Sequence, residues 1–245
     1  MSATLATLLH ELDPDLRLLV VERLEAPALE SSAAGNNAGT GHAANCELNY
    51  TPLQADGTIS TAKPLAINAS FECSLEFWSS LCEQGRLDPS GFIHRVPHIS
   101  FVWGEGDVAY LRQRYEQLKP LSAFAAMEWS RDEAELASWI PLVMAGRDPQ
   151  MAVAATRIER GTDVDFGALS RSLFVPLQAS GALDLVFGTS VSDLKRCVEG
   201  WELQLRGPSG RRVVTTPFVF LGAGGGALPL LQRSRIPEAA AYAGF

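Results

Sequence analysis

No stretch of this sequence approaches the ~20 consecutive apolar residues that a membrane-spanning helix needs. The start, MSATLATLLHELDPD, has no basic segment and carries acids early, which argues against a secretory signal. Cysteine is scarce and dispersed: Cys46, Cys73, Cys82 and Cys197 form no C-x-x-C pair. A chain of this length does not need disulfide staples, so a reduced, cytosolic setting is expected. Metal-ligand spacing is missing as well. His94 and His98 are four apart, but Pro97 between them breaks the helical face that would align them, and no metal site is expected. The G-x-S-x-G turn of serine hydrolases does not occur. Cations are outnumbered, 20 Lys and Arg against 28 Asp and Glu, for a net charge of -8. That balance excludes the basic footprint of a nucleic-acid-binding protein.

What remains is a chain of 245 residues, 47% hydrophobic and 20% charged, enough for one large domain or two small ones around a substantial core. Leu5, Leu8, Leu9 and Leu12 form a helical stripe that Pro14 ends. LRLLVVE, residues 16–22, is a short apolar run closing on an acid, the pattern of a buried parallel strand. Ile67, Phe71, Leu75, Trp78 and Cys82 trace an amphipathic helix stopped near Gly85, HISFVWG reads as a strand, and Val108, Leu111, Tyr115 and Leu118 mark another helix. Ser130 with Glu133 reads as a capping box, and Asp165 as the N-cap of a further helix. A β-rich stretch follows, punctuated by Gly200, Gly207 and Gly210.

Three constellations bear on chemistry. The stretch TPFVFLGAGGGALPLL, residues 216–231, reads as strand, glycine loop and helix, and Gly222, Gly224 and Ala227 fit G-x-G-x-x-[GA]. Glu22 closes the first strand, where dinucleotide folds place the acid that holds ribose hydroxyls, yet no glycine loop precedes its helix. Each signal alone has an ordinary reading, a solvated strand end or a tight turn. Together they suggest one cofactor fold assembled from both ends of the chain. In SSAAGNNAGTGHAANCELNYTP, Gly35, Gly39 and Gly41 permit close backbone approach, while Asn36, Asn37, Thr40 and His42 offer hydrogen bonds. That segment is either a solvated loop or one lying against a planar cofactor, with His42 offered to a substrate. Imidazole suits proton transfer near neutral pH. In ATRIERGTDVDFGALSR, Thr162 and Asp163 follow Gly161, and the planar fork of Arg157 matches a carboxylate substrate as readily as a surface salt bridge.

The segments ESSAAGNNAGTGHAANCELNYTP, VPHISFVWGEGDVAYLRQRYE, PLVMAGRD, VAATRIERGTDVDFG and FVFLGAGGGALPLLQRSRIPEA resemble the motifs of malate:quinone oxidoreductases, over essentially the whole chain. The resemblance implies an α/β, two-domain FAD-dependent oxidoreductase fold: a Rossmann-like FAD domain, incomplete here, with an inserted α+β substrate domain. It places the FAD domain at residues 1–60 and 152–245 and the substrate domain at 61–151. The strands Arg17–Glu22 and Phe218–Leu221 are expected in one parallel sheet. By the same resemblance Glu22 would hold the adenosine ribose and Val191 would meet the adenine through its backbone. Gly35, Asn37, Gly39, Thr40 and Gly41 would run beside the isoalloxazine, and Gly222, Gly224 and Gly225 would approach the flavin. His42 would be the catalytic base, with Arg157 and Thr162 on the substrate side. The implied partners are malate and a quinone, with peripheral contact at the cytoplasmic face of the inner membrane. The implied alternatives are oxidation of another 2-hydroxy acid, or an inactive domain. Since the first glycine loop and a C-terminal half of the family pattern fall outside this sequence, weak FAD binding by these 245 residues is expected.

Overall fold

The structure, a computed structural model, describes residues 1–239. Its elements, in chain order, are α1 (Ser2–Leu12), β1 (Leu18–Val21), α2 (Ala62–Glu83), β2 (Ile93–Arg95), β3 (His98–Trp103), α3 (Glu105–Leu118), β4 (Glu128–Ser130), α4 (Glu133–Trp139), α5 (Pro141–Met144), β5 (Val153–Ile158), β6 (Thr162–Val164), α6 (Phe166–Ala179), β7 (Leu183–Val186), β8 (Ser190–Cys197), β9 (Gly200–Gly207), β10 (Gly210–Thr216) and α7 (Ala227–Arg233). They fall into two compact units. One comprises Met1–Ala38, Arg86–Phe92 and Asp165–Phe245; the other comprises Gly39–Gly85 and Ile93–Val164.

In the first unit, β1 and β7 pair in parallel, Leu18 opposite Leu183 and Val21 opposite Val186. A β8–β9–β10 antiparallel meander follows. Its inner face, Leu194, Leu203 and Leu205, closes on Leu230 of α7, with Val21, Val191, Val219 and Leu221 packed around it. Helix α6 starts as expected: Asp165 Oδ1 accepts the Ala168 N–H at 2.8 Å, and Leu169, Leu173, Phe174 and Leu177 are buried at helical spacing. Helix α1 corrects the leucine stripe. It packs on α6 and buries Ala3, Ala6 and Thr7, whereas Leu8 and Leu12 are exposed. Small side chains let the two helices approach, Leu5 and Leu9 are half-buried, and only Leu8 and Leu12 of the stripe turn outward.

The expected strand at Phe218–Leu221 does not form. The segment joins no ladder among the described residues, and it shares no sheet with β1, whose parallel partner is β7. Val219 and Leu221 alternate inward while Phe218 and Phe220 are exposed, so the period of two is real but reports packing rather than pairing.

In the second unit, β3–β5–β4 form an antiparallel sheet, and β2 pairs with β6. Val108 and Leu111 of α3 bury against Val102 and Ala154, while Leu118 joins Ala44, Phe124, Met127 and Ile158. The capping box expected at Ser130 is displaced by two residues. Asp132 is the N-cap of α4, accepting the Glu135 N–H at 2.9 Å, and Ser130 ends β4. The nearer carboxylate wins because it reaches the first turn without breaking the strand. The expected breaks at 60/61 and 151/152 also lie elsewhere. Residues 39–60 bond to β6 and α3, and residues 152–164 form β5 and β6, so both stretches belong to the second unit.

Candidate functional site

The loop carrying His42 is fastened backbone to backbone onto β6. Val164 N–H donates to Gly39 O at 2.5 Å, Gly41 N–H donates to Thr162 O at 2.8 Å, and Thr40 bridges Asp163 in antiparallel sense. The glycines follow from this approach. An added Cβ would overlap Asp163 Oδ1 at Gly39 and Thr162 Oγ1 at Gly41, and Gly39 has φ of +64°. Ala44 is fully buried with φ of +59°, a left-handed conformation costing roughly 1–2 kcal/mol outside glycine. Backbone held in such a state marks a place that the surroundings over-determine.

Those surroundings are a buried hydrogen-bond set. Arg114 of α3 has no exposed surface. Its Nε donates to Thr51 Oγ1 at 3.0 Å, and its Nη2 to the carbonyls of Asn45 and Ala44 at 3.3 and 3.5 Å. Asn68 Nδ2 donates to Ala43 O at 3.1 Å and Ser100 Oγ to Cys46 O at 2.6 Å. Tyr110 OH lies 2.8 Å from Thr51 O and 3.0 Å from Leu48 O. Burial pulls the Arg114 guanidinium below its ordinary range, opposed by Tyr110, Cys46 and Glu47. Burial first, and the charge of Glu47 next, push the Cys46 thiol from 9.0 to about 11, while Arg114 acts the other way.

On this fastened loop His42 is presented outward, its side chain 59% exposed, with Nδ1 3.6 Å from Glu47 Oε1. Glu47 is mostly buried: Oε2 accepts the Cys46 N–H at 3.3 Å, and Oε1 has no hydrogen-bond partner among the described residues. A carboxylate shut away from water needs donors; the Cys46 thiol is one neighbour that supplies a hydrogen bond, and the His42 imidazole stands just beyond hydrogen-bond distance. Thr162 Oγ1, beside Gly41, is also buried without a partner among the described residues. Arg157 is already engaged: it pairs with Glu159, lies 3.9 Å from Glu128 and stacks over Trp139 at 5.6 Å. A carboxylate substrate at this guanidinium would compete with those acids.

The other residues singled out in the sequence lie in the first unit. Glu22 follows β1 directly; its N–H donates to Val186 O at 2.8 Å and its carbonyl accepts the Thr189 N–H at 3.0 Å. One carboxylate oxygen, Oε1, takes the Leu24 N–H at 2.9 Å. This places Glu22 beside the start of β8, where Val191 packs into the same cluster as Val21. Asn37 uses Nδ2 on Ala33 O at 2.8 Å and Ser31 O at 3.1 Å, stitching its own turn, and Gly35 is exposed. An added Cβ at Gly222 would overlap Ser2 Oγ at the head of α1. Gly224 (φ +51°) and Gly225 have open space around them. The glycine-rich segment read as one piece in the sequence therefore divides at 38/39: Gly35 and Asn37 go with the first unit, Gly39 to His42 with the second. Among the described residues, no group of three or more His, Cys, Asp and Glu is placed to hold a metal ion.

Glu47 and Arg114 escape the sequence reading. Arg114 carries a signal nonetheless, since it stands three after Leu111 and four before Leu118, on the apolar side of α3. Glu47 carries none, because its role depends on the turn that brings it back to His42.

A family model for malate:quinone oxidoreductase matches residues 1–245. A probable malate:quinone oxidoreductase of Synechococcus sp. (strain CC9605) is 68% identical over 251 residues, covering 100% of this chain and 50% of its own length. One from Synechococcus sp. (strain RCC307) is 69% identical over 246 residues, covering 100% and 51%. The chain thus spans about half the length of the curated relatives it matches. Among solved structures, glycine oxidase from Geobacillus kaustophilus superposes with a TM-score of 0.66 at 20% identity, over 94% of this chain and 54% of that one. Iminodiacetate oxidase from Chelativorans sp. BNC1 gives 0.62 at 17%, over 94% and 55%. L-alpha-glycerophosphate oxidase from Mycoplasma pneumoniae, solved with FAD bound, gives 0.55 at 16%, over 86% and 48%. The chain has the fold of these oxidases, in part.

Proposed function

Because the chain belongs to the malate:quinone oxidoreductase family, we propose that it is part of an FAD-dependent dehydrogenase that converts malate to oxaloacetate and delivers the electrons to a quinone. The observation that carries the reading is the outward-facing His42 with Glu47 behind it, on a loop locked by β6 and Arg114. When bound, the flavin supplies the hydride acceptor and the route to the quinone. The residues present fit such a group. Glu22 engages the Leu24 N–H through Oε1, which leaves Oε2 for a ribose hydroxyl, and the open space at Gly224 and Gly225 admits close backbone approach. Support for a flavin also comes from the fold neighbour solved with FAD.

The chain's own share is proton removal and placement. His42 Nε2 takes the proton of the substrate 2-hydroxyl as C2 is oxidised, and Glu47 then faces the resulting imidazolium. The locked loop keeps the imidazole from wandering, which is the positional part of the catalysis. Thr162 Oγ1 is a donor for a substrate carboxylate. We further propose peripheral association with the cytoplasmic face of the inner membrane as the place where the quinone is met. No helix among the described residues is long and apolar enough to cross a membrane.

The test is malate-dependent quinone reduction by protein carrying this segment. His42→Ala is expected to lower turnover about 10²–10⁴-fold with flavin content unchanged. Turnover equal to the parent's moves the base elsewhere.

A further inference from the structure

In a chain of net charge -8, positive charge converges at one place in the first unit. A pocket of about 390 Å³ is lined by Ser192, Asp193, Lys195, Gln204, Arg206, Arg233, Ser234 and Arg235, from β8, β9 and the end of α7. Asp193 lies 3.7 Å from Lys195 and answers its charge. Arg206, Arg233 and Arg235 have no acidic partner among the described residues, although acids outnumber bases in the chain.

Two features build the pocket. A bulge in β8 falls between Val191 and Asp193, so Ser192 stands outside the ladder register and the strand is re-aimed there. The end of α7 is tied to the same strand, since Leu194 N–H donates to Ser234 Oγ at 2.9 Å. Ser234 thereby accepts, and its own hydroxyl proton remains available to donate.

The donor set selects the ligand. Each guanidinium presents five N–H groups in a rigid fork suited to oxyanions, and three of them here exceed what a single carboxylate can accept. A ligand with more oxygens and more than one negative charge is required. The volume lies within the range of about 300–1,000 Å³ typical of small-molecule sites. None of the residues proposed for the flavin or for malate lines the pocket. We propose that this pocket binds a phosphate-bearing anion, separately from the flavin.

The experiment is calorimetric titration of this chain with inorganic pyrophosphate at low salt, with flotation on phosphatidic acid vesicles as a second arm. Saturable one-site binding is expected. The R233Q/R235Q pair should weaken it by about tenfold or more, because each lost guanidinium removes charge-assisted bonds. The R211Q/R212Q pair removes equal charge from β10, outside the pocket, and should change it by no more than about twofold. All four side chains are exposed, so unchanged circular dichroism will show that both pairs remain folded. Pyrophosphate binding without flotation assigns the phosphate to a soluble compound, and flotation lost in R233Q/R235Q assigns it to a lipid headgroup; either supports the site. No saturable binding, equal losses in both pairs, or displacement of pyrophosphate by FAD overturns it.

Discussion

Two glycine-rich segments of this molecule look alike as text and differ as structure. The Gly39–Gly41 loop of the second unit is glycine-rich because it lies backbone-close against β6, and side chains at either position would strike Asp163 or Thr162. The Gly222–Gly226 loop of the first unit is tight at one end only, where Gly222 faces Ser2, and is open at Gly224 and Gly225. A glycine cluster therefore reports two unlike demands, contact with the protein itself or space left for something else. The loop that presents the proposed base is the rigid one. The loop proposed to approach the cofactor is the open one.

The largest test of that contrast is Arg114→Ala. It leaves Thr51 Oγ1 and the Ala44 and Asn45 carbonyls without their donor and opens a cavity beside them. Orphaned buried acceptors and a cavity together should lower stability by roughly 3 kcal/mol or more, read from urea unfolding. A loss under about 1 kcal/mol would mean that β6 alone holds the loop.

Next is the pair Gly41→Ala and Gly225→Ala. Overpacking against Thr162 and Phe71 should cost about 1–3 kcal/mol at Gly41. The same methyl at Gly225 meets nothing and should stay within about 0.5 kcal/mol. Equal costs at the two sites would erase the distinction.

The smallest effect is a pH slope. The native fold favours the neutral Cys46 thiol, so its contribution is whole below about pH 9 and is lost as pH rises toward about 11. Urea midpoints at pH 8 and pH 10.5 should therefore fall less in Cys46→Ala than in the parent. At pH 8 an alkylating reagent should label the exposed Cys73 and Cys197 before Cys46. Early labelling of Cys46 would show that the loop opens and is not the rigid member of the pair.

Much of the fold was legible because its signals are local. The stripe Val108, Leu111, Leu118 and the cap at Asp165 each act within a turn or two of helix, and α3 and α6 stand where they indicate. Ser130 shows the limit even there, since Asp132 offered the backbone a nearer acceptor. Phe218–Leu221 shows the larger limit. Alternation told that one side of the segment is covered, while a strand also needs a hydrogen-bonding neighbour, which no local pattern supplies. Of the proposed site, His42 was visible as an imidazole among glycines. Glu47 and the fixation by Arg114 were not, because both depend on where the loop returns.

The chain's own pattern determined where α2, α3 and α6 lie, the cap of α6, the outline of most strands and the family to which the motifs belong. These rest on short-range energies: side-chain periodicity, caps and turn residues act over a few positions. Tertiary structure alone decided that β1 pairs with β7 about 165 residues away, that Gly39 and Gly41 meet β6, and that a lone guanidinium is buried behind the His42 loop. Such contacts are chosen by the whole packed arrangement, in which a distant backbone or an enclosed charge is satisfied only after the rest of the chain has closed around it.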